Sequence, residues 1–212
     1  AIPDYDETYT DASLHITANV SNLTAKVVKG YTIDYKLYEN RLYSDENTLV
    51  PGVDATATVG DINKNGNLTA SVTLKAGNIV KPWSAEAPHR YTLVGELKDK
   101  KGNTVETFST NVGFRKIEIK DTPADKDEFG LAGRYYYLNG QPINHVRDCH
   151  YPDAPYWYYL CDKYGIYLED EANIESHQYY YGKESLSHVK EFRNAHVARN
   201  MEMVHATVNH PS

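Results

Sequence analysis

Side chains suited to acid–base or ligand chemistry are concentrated between residues 144 and 177 of this chain. An arginine, histidines and carboxylates follow two short strand-like segments there. The ends of parallel strands meet at one edge of a sheet, so polar side chains at those ends commonly form a site. The candidate site residues are Arg147, His150, Glu175 and His177.

The acidic run at residues 169–171 invites assignment as a general acid and base, roles that paired carboxyl groups can fill. Neighbouring residues of a strand point to opposite faces, so only alternate members of the run can share a pocket. We therefore expect Asp170 and Glu171 to have a structural role, with bonds to Arg147 or to neighbouring strand ends, rather than a catalytic one.

The candidate residues lie where strand-like and helical patterns alternate. After a short extended segment at 144–146, apolar residues at helical spacing predict a helix with Asp153 as its N-cap and Gly165 at its end. A β-prone segment at 166–168 and a second helix at about 184–206 follow. This βαβα order predicts a parallel sheet, and in a barrel of such units the site lies at the carboxyl ends of the strands.

The first half of the chain has a different pattern, in which apolar and polar residues alternate. About seven such segments lie between residues 14 and 119, and this number of short strands predicts an antiparallel sandwich of the immunoglobulin-like type. A charged linker at 120–133 then predicts a domain boundary. A hairpin around Asn139-Gly140 opens the second domain.

One segment of the first half imitates a calcium site. Residues 61–66 match the opening of an EF-hand loop, but the twelfth position is Val72 instead of a glutamate, and strands flank the segment. A tight hairpin turn at Asn65-Gly66 explains the same residues, and we favour it.

Composition argues against two classes of partner. The 212 residues carry a formal net charge of −7, whereas binding to nucleic acid requires a clustered basic surface. The chain has no apolar run long enough to span a membrane, and its compartment is left open. Cys149 and Cys161 are its only cysteines, and their positions predict buried free thiols rather than a disulfide.

Several motifs in order along the chain resemble glycoside hydrolase family 2 and, within it, the β-galactosidases. They extend from the predicted sandwich to the last residue, and the subfamily depends mainly on the run Asn-Ile-Glu-Ser-His at 173–177. The motifs lie at residues 81–88, 111–115, 138–142, 146–152, 160–165, 170–177 and 209–212.

The resemblance implies a multidomain chain, all-β followed by α/β. In this family an immunoglobulin-like β-sandwich precedes a (β/α)8 barrel that carries the active site. The sandwich would cover residues 1–119, and residues 120–212 would form the first part of an incomplete (β/α)8 barrel, because a closed one needs about 250 residues. One βα unit, roughly 30 residues, is expected to be missing at the junction 143/144.

The resemblance also implies roles for the candidate residues. The family's enzymes are retaining glycosidases that use two carboxyl groups about 5 Å apart. Both are expected beyond Ser212, so the chain itself is expected to be inactive. His150 would hydrogen-bond the galactose ring, and Arg147 would support the nucleophile. Glu175 and His177 would be two ligands of a magnesium (Mg) site, with weak affinity when the third ligand is absent.

The residue types by themselves are also compatible with purely structural roles. A strand-end cap accounts for His150, an ion pair to Asp170 accounts for Arg147, and a loop-capping histidine beside a solvated glutamate accounts for residues 175 and 177. Mg²⁺ favours oxygen ligands, so Mn²⁺ or no metal stays open as well. The expected partner is a β-galactoside, and homo-oligomerisation is left open. The alternative functions are a carbohydrate-binding or scaffold module and a family 2 β-glycosidase with another sugar specificity.

Overall fold

The first half of the chain forms two antiparallel sheets that pack face to face. The computed structural model describes residues 1–126, 130–143, 145–175 and 185–212. Buried and exposed side chains alternate along the strands, as the sequence pattern predicts. In chain order the strands are β1 (Ile2–Tyr5), β2 (Ala12–Ser21), β3 (Tyr31–Asn40), β4 (Asn47–Val59), β5 (Asn67–Gly77), β6 (Tyr91–Lys98) and β7 (Thr104–Val112).

The hydrophobic core of this half lies between the two sheets, whose strand orders are β1-β2-β5 and β4-β3-β6-β7. Side chains from both sheets, such as Leu14 and Tyr35, form one buried cluster. Burying an apolar side chain of this size contributes about 1.5–3 kcal/mol. The predicted immunoglobulin-like sandwich is confirmed. The alternating pattern did not reveal β1, because Pro3 and Asp4 are poor strand formers.

The last strand predicted for the sandwich belongs instead to a separate antiparallel sheet. Apolar alternation marks a strand but does not specify which sheet the strand joins. The domain boundary predicted at 119/120 therefore falls inside this strand. The strands of the separate sheet are β8 (Ile117–Thr122), β9 (Gly133–Leu138) and β10 (Gln141–Pro142), and β9 lies between the other two.

Two Asn-Gly pairs form turns, and only one of the turns is a hairpin. Asn139 and Gly140 join β9 to β10 with φ angles of 49° and 81°, as the hairpin prediction requires. At Asn65-Gly66 the Gly66 N–H donates to the Asn63 carbonyl at 3.0 Å. That turn leads from β4 to β5, which lie in different sheets, so the hairpin predicted there is wrong.

The second half has short parallel strands and helices in βαβα order. Its elements are β11 (Val146–Arg147), α1 (Pro155–Tyr164), β12 (Leu168–Glu169) and α2 (Arg193–Thr207). β11 and β12 pair in parallel, as predicted. The Leu168 N–H donates to the carbonyl of Ser212 at 3.0 Å. Successive strand residues direct their backbone groups to opposite edges, so Ser212 lies on the side of β12 away from β11.

Both helices start differently from the predictions. Ala154 instead of Asp153 occupies the N-cap of α1, and the backbone N–H of Asp153 donates to the Tyr158 hydroxyl at 2.9 Å. α2 begins later than predicted because Val189 is extended, with φ −82° and ψ 116°, and separates two 3₁₀ turns. Residues 176–184, where the second helix was predicted to start, lie outside the described part. Within the described residues, neither helix is long and apolar enough to cross a membrane.

The sandwich and the α/β half approach each other closely at two glycines. A Cβ atom on Gly113 would lie 2.4 Å from the Cβ of Pro211. A Cβ atom on Gly165, which ends α1 with φ 74°, would lie 2.1 Å from the carbonyl oxygen of Ala85. Neither position has room for a larger residue without movement of the backbone around it.

A buried aspartate of α1 connects the same two halves. Asp162 is 2% exposed, and its carboxylate oxygens lie 2.6 Å from His210 Nδ1 and 3.0 Å from the Ser212 nitrogen. Its backbone carbonyl accepts a bond from Trp83 Nε1 at 3.0 Å. Arg115 donates to the His210 carbonyl at 2.8 Å. Burial lowers the pKa of the Arg115 guanidinium to about 10.

Candidate functional site

A cleft of about 410 Å³ lies at the carboxyl ends of β11 and β12. Three of the four predicted site residues line it: Arg147 at the end of β11, His150 in the loop that follows, and Glu175 in the loop after β12. His177 lies outside the described residues. The complete lining is Arg147, His150, Asp170, Glu171, Ala172, Ile174, Glu175, Asn200 and Met203.

One ion pair and one contact between a histidine and a carboxylate organise the polar side chains of the cleft. Arg147 Nε lies 2.8 Å from Glu171 Oε1, and His150 Nδ1 lies 2.9 Å from Glu175 Oε2. A hydrogen bond to Cys149 and the charge of Glu171 raise the pKa of the Arg147 guanidinium, which therefore stays charged. The bond expected between Glu171 and Arg147 is observed, whereas Asp170, the alternative partner of Arg147, accepts a bond from Tyr158.

Asp170 lies deeper in the cleft, next to the buried carboxyl of Asp148. Tyr158 donates to Asp170 Oδ1 at 2.8 Å, and Trp157 Nε1 donates to Asp148 Oδ1 at 3.1 Å. Within the described residues, the second oxygen of each carboxyl is buried without a hydrogen-bond partner. Burial raises the pKa of Asp148 to about 6, and the nearby Asp153 and Asp170 add to the shift. Asp148 therefore keeps its proton to a higher pH than an ordinary aspartate.

The two cysteines have opposite surroundings, so the prediction that both are buried is wrong for Cys149. Both are free thiols, but Cys149 is exposed in the loop after β11, where its Sγ lies 3.1 Å from His150 Nε2. Cys161 is fully buried in α1, and burial raises its pKa to about 11. Only Cys149 is positioned to react or to bind a ligand.

Two residues of α2, Asn200 and Met203, line the cleft and were not among the sequence candidates. Their spacing of three places them on one face of the helix. The sequence pattern showed that spacing, but it gave no means of placing this face over the ends of β11 and β12.

The side chains of the cleft can hydrogen-bond hydroxyl groups and can hold a cation. Arg147 and His150 offer donors, whereas Asp170, Glu171 and Glu175 offer carboxylate oxygens. Glu175 suits Mg²⁺, which binds oxygen ligands. Ligand atoms of Cys149, His150 and Glu171 also lie within 4.8 Å of one another.

Family comparisons match both halves of the chain. A sequence model described as "Glycosyl hydrolases family 2" matches residues 1–115. A second, described as "Glycosyl hydrolases family 2, TIM barrel domain", matches residues 135–212. The two matches agree with a sandwich followed by part of a barrel.

Similar curated proteins are β-galactosidases. The enzyme of Vibrio vulnificus is 29% identical over 243 residues, which cover 99% of this chain and 22% of that protein. The enzyme of Alteromonas mediterranea is 35% identical over 156 residues, which cover 62% of this chain and 15% of that protein. The chain thus spans at most about a fifth of these relatives. The first alignment is longer than this chain, so it includes positions that have no residue here; the gap at 143/144 stays a prediction.

Similar solved structures share the fold at low sequence identity. A β-glucuronidase of Bacteroides uniformis has a TM-score of 0.69 and 15% identity, and the match covers 99% of this chain and 26% of that one. A putative β-galactosidase of Bacteroides fragilis has a TM-score of 0.67 and 16% identity, and the match covers 99% of this chain and 32% of that one. At these identities the likeness shows the fold and leaves the sugar specificity open.

Proposed function

Since this chain belongs to glycosyl hydrolase family 2, we propose that its parent protein is a retaining β-galactosidase and that this chain supplies one side of the sugar-binding cleft. The observation that carries the proposal is the meeting of Arg147, His150 and Glu175 at the carboxyl ends of two parallel strands. That edge is where barrels of βα units have their active sites. The β-galactosidase relatives and the run at 173–177 support galactose over other sugars.

His150 is proposed to contact a sugar hydroxyl. Its Nδ1 lies 2.9 Å from Glu175 Oε2, which restrains the ring, and its Nε2 lies 3.1 Å from Cys149 Sγ. A hydrogen bond that strengthens as the oxocarbenium-like transition state forms lowers the barrier selectively. Arg147 remains charged beside Glu171 and is proposed to support the carboxylate of the nucleophile.

Glu175 and His177 are proposed to hold Mg²⁺. The carboxylate of Glu175 lines the cleft and fits the preference of this ion for oxygen, whereas His177 lies outside the described residues. When bound, the ion would supply positive charge beside the acid/base. Replacement of Glu175 by Gln should weaken Mg²⁺ binding by the parent, measured by calorimetric titration, whereas replacement of the exposed Asp121 should not.

The two catalytic carboxyls are proposed to lie outside these 212 residues. Within the acidic run, Glu171 is paired with Arg147 and Asp170 accepts a bond from Tyr158, which are structural bonds. The chain alone should therefore show no turnover of a nitrophenyl β-galactoside. Activity that disappears on Glu171→Gln would contradict this assignment.

The coding sequence that continues from Ser212 provides a direct test. A strand ending in Asn-Glu supports the enzyme, because it would supply the acid/base, and an immediate stop codon supports a binding or scaffold module instead. In the parent, His150→Ala should lower kcat/KM for a nitrophenyl β-galactoside about 10²- to 10³-fold. His145→Ala is the matched control, because His145 pairs with Glu169 at 2.6 Å and does not line the cleft. Preference for a glucuronide would overturn the galactose assignment.

A further inference from the structure

We infer that Cys149, His150 and Glu171 form a binding site for a thiophilic divalent cation such as Zn²⁺ at the edge of the cleft. These residues offer a thiolate, an imidazole nitrogen and a carboxylate oxygen, and the ligand atoms lie within 4.8 Å of one another. Sulfur, nitrogen and oxygen ligands of this kind select Zn²⁺ over Mg²⁺, which takes oxygen alone. Its three ligands differ from the proposed magnesium pair, although Glu175 of that pair contacts His150.

The spacing of the ligand atoms suits a tetrahedral ion. Cys149 Sγ lies 3.1 Å from His150 Nε2. Ligands about 2.0–2.3 Å from a tetrahedral Zn²⁺ lie roughly 3.5 Å from one another. The sulfur also lies 3.3 Å from His150 Nδ1, so the ring must turn until the lone pair of Nε2 points at an ion beside the sulfur. A water molecule can complete the coordination beside Glu171.

The ring of His150 is already held in the way that metal-binding histidines usually are. Its Nδ1 lies 2.9 Å from Glu175 Oε2, so the carboxylate can accept the proton on this nitrogen. A carboxylate on one ring nitrogen fixes the tautomer and raises the basicity of the other nitrogen, which is the one that binds the metal. Here the other nitrogen is Nε2, which lies 3.1 Å from Cys149 Sγ, compared with 3.3 Å for Nδ1.

Positive charge already lies between the other two ligands. The Arg147 guanidinium is 3.3 Å from Cys149 Sγ through Nη2 and 2.8 Å from Glu171 Oε1 through Nε. A thiolate and a carboxylate together balance the charge of a divalent ion, which can replace the guanidinium. The Arg147 side chain is 52% exposed, so it can turn towards solvent when the ion binds.

Occupation of the site would remove His150 from contact with a sugar. This consequence rests on the proposed function, whereas binding of the cation does not. Zn²⁺ should then inhibit the parent enzyme competitively with the galactoside.

The experiment uses Co²⁺ as a spectroscopic substitute for Zn²⁺ on the 212-residue chain. Titration should produce the near-ultraviolet thiolate-to-cobalt absorption and the visible bands of a tetrahedral ion, and Zn²⁺ should abolish both. Cys149→Ser should remove the thiolate absorption, and Glu171→Gln should weaken Co²⁺ binding at least about tenfold. Cys161→Ser is the matched control and should leave the spectrum unchanged, because Cys161 is fully buried.

A second measurement needs no variant. Zn²⁺ should slow alkylation of Cys149 by iodoacetamide at least tenfold, followed by mass spectrometry of the peptide, and Mg²⁺ should not. A wild-type chain without thiolate absorption, absorption that persists in Cys149→Ser, or alkylation that Zn²⁺ does not slow would overturn the proposal. Failure of the galactoside assay with a positive Co²⁺ spectrum would count against the proposed function and leave the cation site in place.

Discussion

Asp162 and His210 are 2.6 Å apart, from Oδ2 to Nδ1, although one lies inside α1 and the other in the segment after α2. The second oxygen of Asp162 accepts the N–H of Ser212 at 3.0 Å, and its carbonyl accepts Trp83 Nε1 at 3.0 Å. One buried residue thus joins a helix, the last segment of the chain and the sandwich. The alignment of Ser212 beside β12 depends on this residue.

Replacement of Asp162 by Ala should destabilise the chain strongly. The substitution leaves the N–H of Ser212 and the ring of His210, both in partly buried hydrogen bonds, without their acceptor. Leaving a hydrogen-bonding group without its partner costs about 1–3 kcal/mol. We expect a decrease of this size in the free energy of unfolding, measured by urea denaturation.

The control for this variant is Asp121→Ala. Asp121 pairs with Arg134 at 2.7 Å, but both side chains are largely exposed. Exposed pairs contribute about 0–1 kcal/mol. Equal losses in the two variants would show that burial of Asp162 has no special importance.

Replacement of Gly165 by Ala should destabilise the chain more than replacement of Gly102 by Ala. Both glycines have a left-handed backbone, but only at Gly165 would the added Cβ also collide with a neighbour. Gly165 has φ 74° and its added Cβ would lie 2.1 Å from the Ala85 carbonyl. Gly102 has φ 83°, and a Cβ there would have no heavy atom within 4 Å. Gly102→Ala should cost about 1 kcal/mol for the left-handed conformation alone, and Gly165→Ala about 3–4 kcal/mol. Thermal unfolding of both variants measures the difference, and similar costs would contradict the close contact with Ala85.

Replacement of Asn22 by Ala should destabilise the sandwich. Asn22 is 5% exposed, and its amide donates to the carbonyls of Lys26, Ile62 and Asn63. Three carbonyls lose this donor, one in a buried and two in partly buried hydrogen bonds, which should cost about 2–4 kcal/mol in urea denaturation. Asn19→Ala is the matched control, because Asn19 is exposed on the neighbouring strand and should cost under about 0.5 kcal/mol. Equal losses would refute a structural role for Asn22.

The sequence predicted those features that depend on local chemistry. Alternation of apolar residues predicted the sandwich strands, the Asn139-Gly140 pair predicted a hairpin, and the polar residues after β11 and β12 predicted one cleft. Each of these rests on a period or a turn preference that acts over a few residues. The likeness of residues 146–152 and 170–177 to family motifs added proposed roles for the same side chains.

Other features depend on contacts between distant residues and could not be predicted. The pairing of β8 with β9 is set by tertiary packing, as is the exposure of Cys149. Asp153 was a reasonable N-cap by residue type, but Ala154 occupies that position and the Asp153 N–H donates to Tyr158. For the same reason the sequence could not show whether Arg147 pairs with Asp170 or with Glu171. In the structure Tyr158 donates to Asp170, and Arg147 pairs with Glu171.

Replacement of Asp148 by Asn should change how stability depends on pH. Burial raises the pKa of the folded-state Asp148 to about 6, so the folded chain favours its neutral form. Its contribution to stability is complete below the unfolded-state pKa, near 4, and is lost as the pH rises through 6. Asn is neutral at every pH and can still accept the bond from Trp157 Nε1. At pH 8 the variant should therefore be more stable than wild type by about 2–3 kcal/mol, and at pH 4 nearly equal to it.

Urea denaturation at the two pH values, in the presence of a chelator, measures this difference without a contribution from bound cations. Asp121→Asn is the control, because Asp121 is exposed and a hydrogen bond from Arg134 lowers its pKa. Its contribution has the opposite sign, so this variant should show no gain in stability at pH 8. An Asp148→Asn chain that gains nothing at pH 8 would mean that water or a cation reaches the carboxylate and that the charge of Asp148 is not buried in the folded chain.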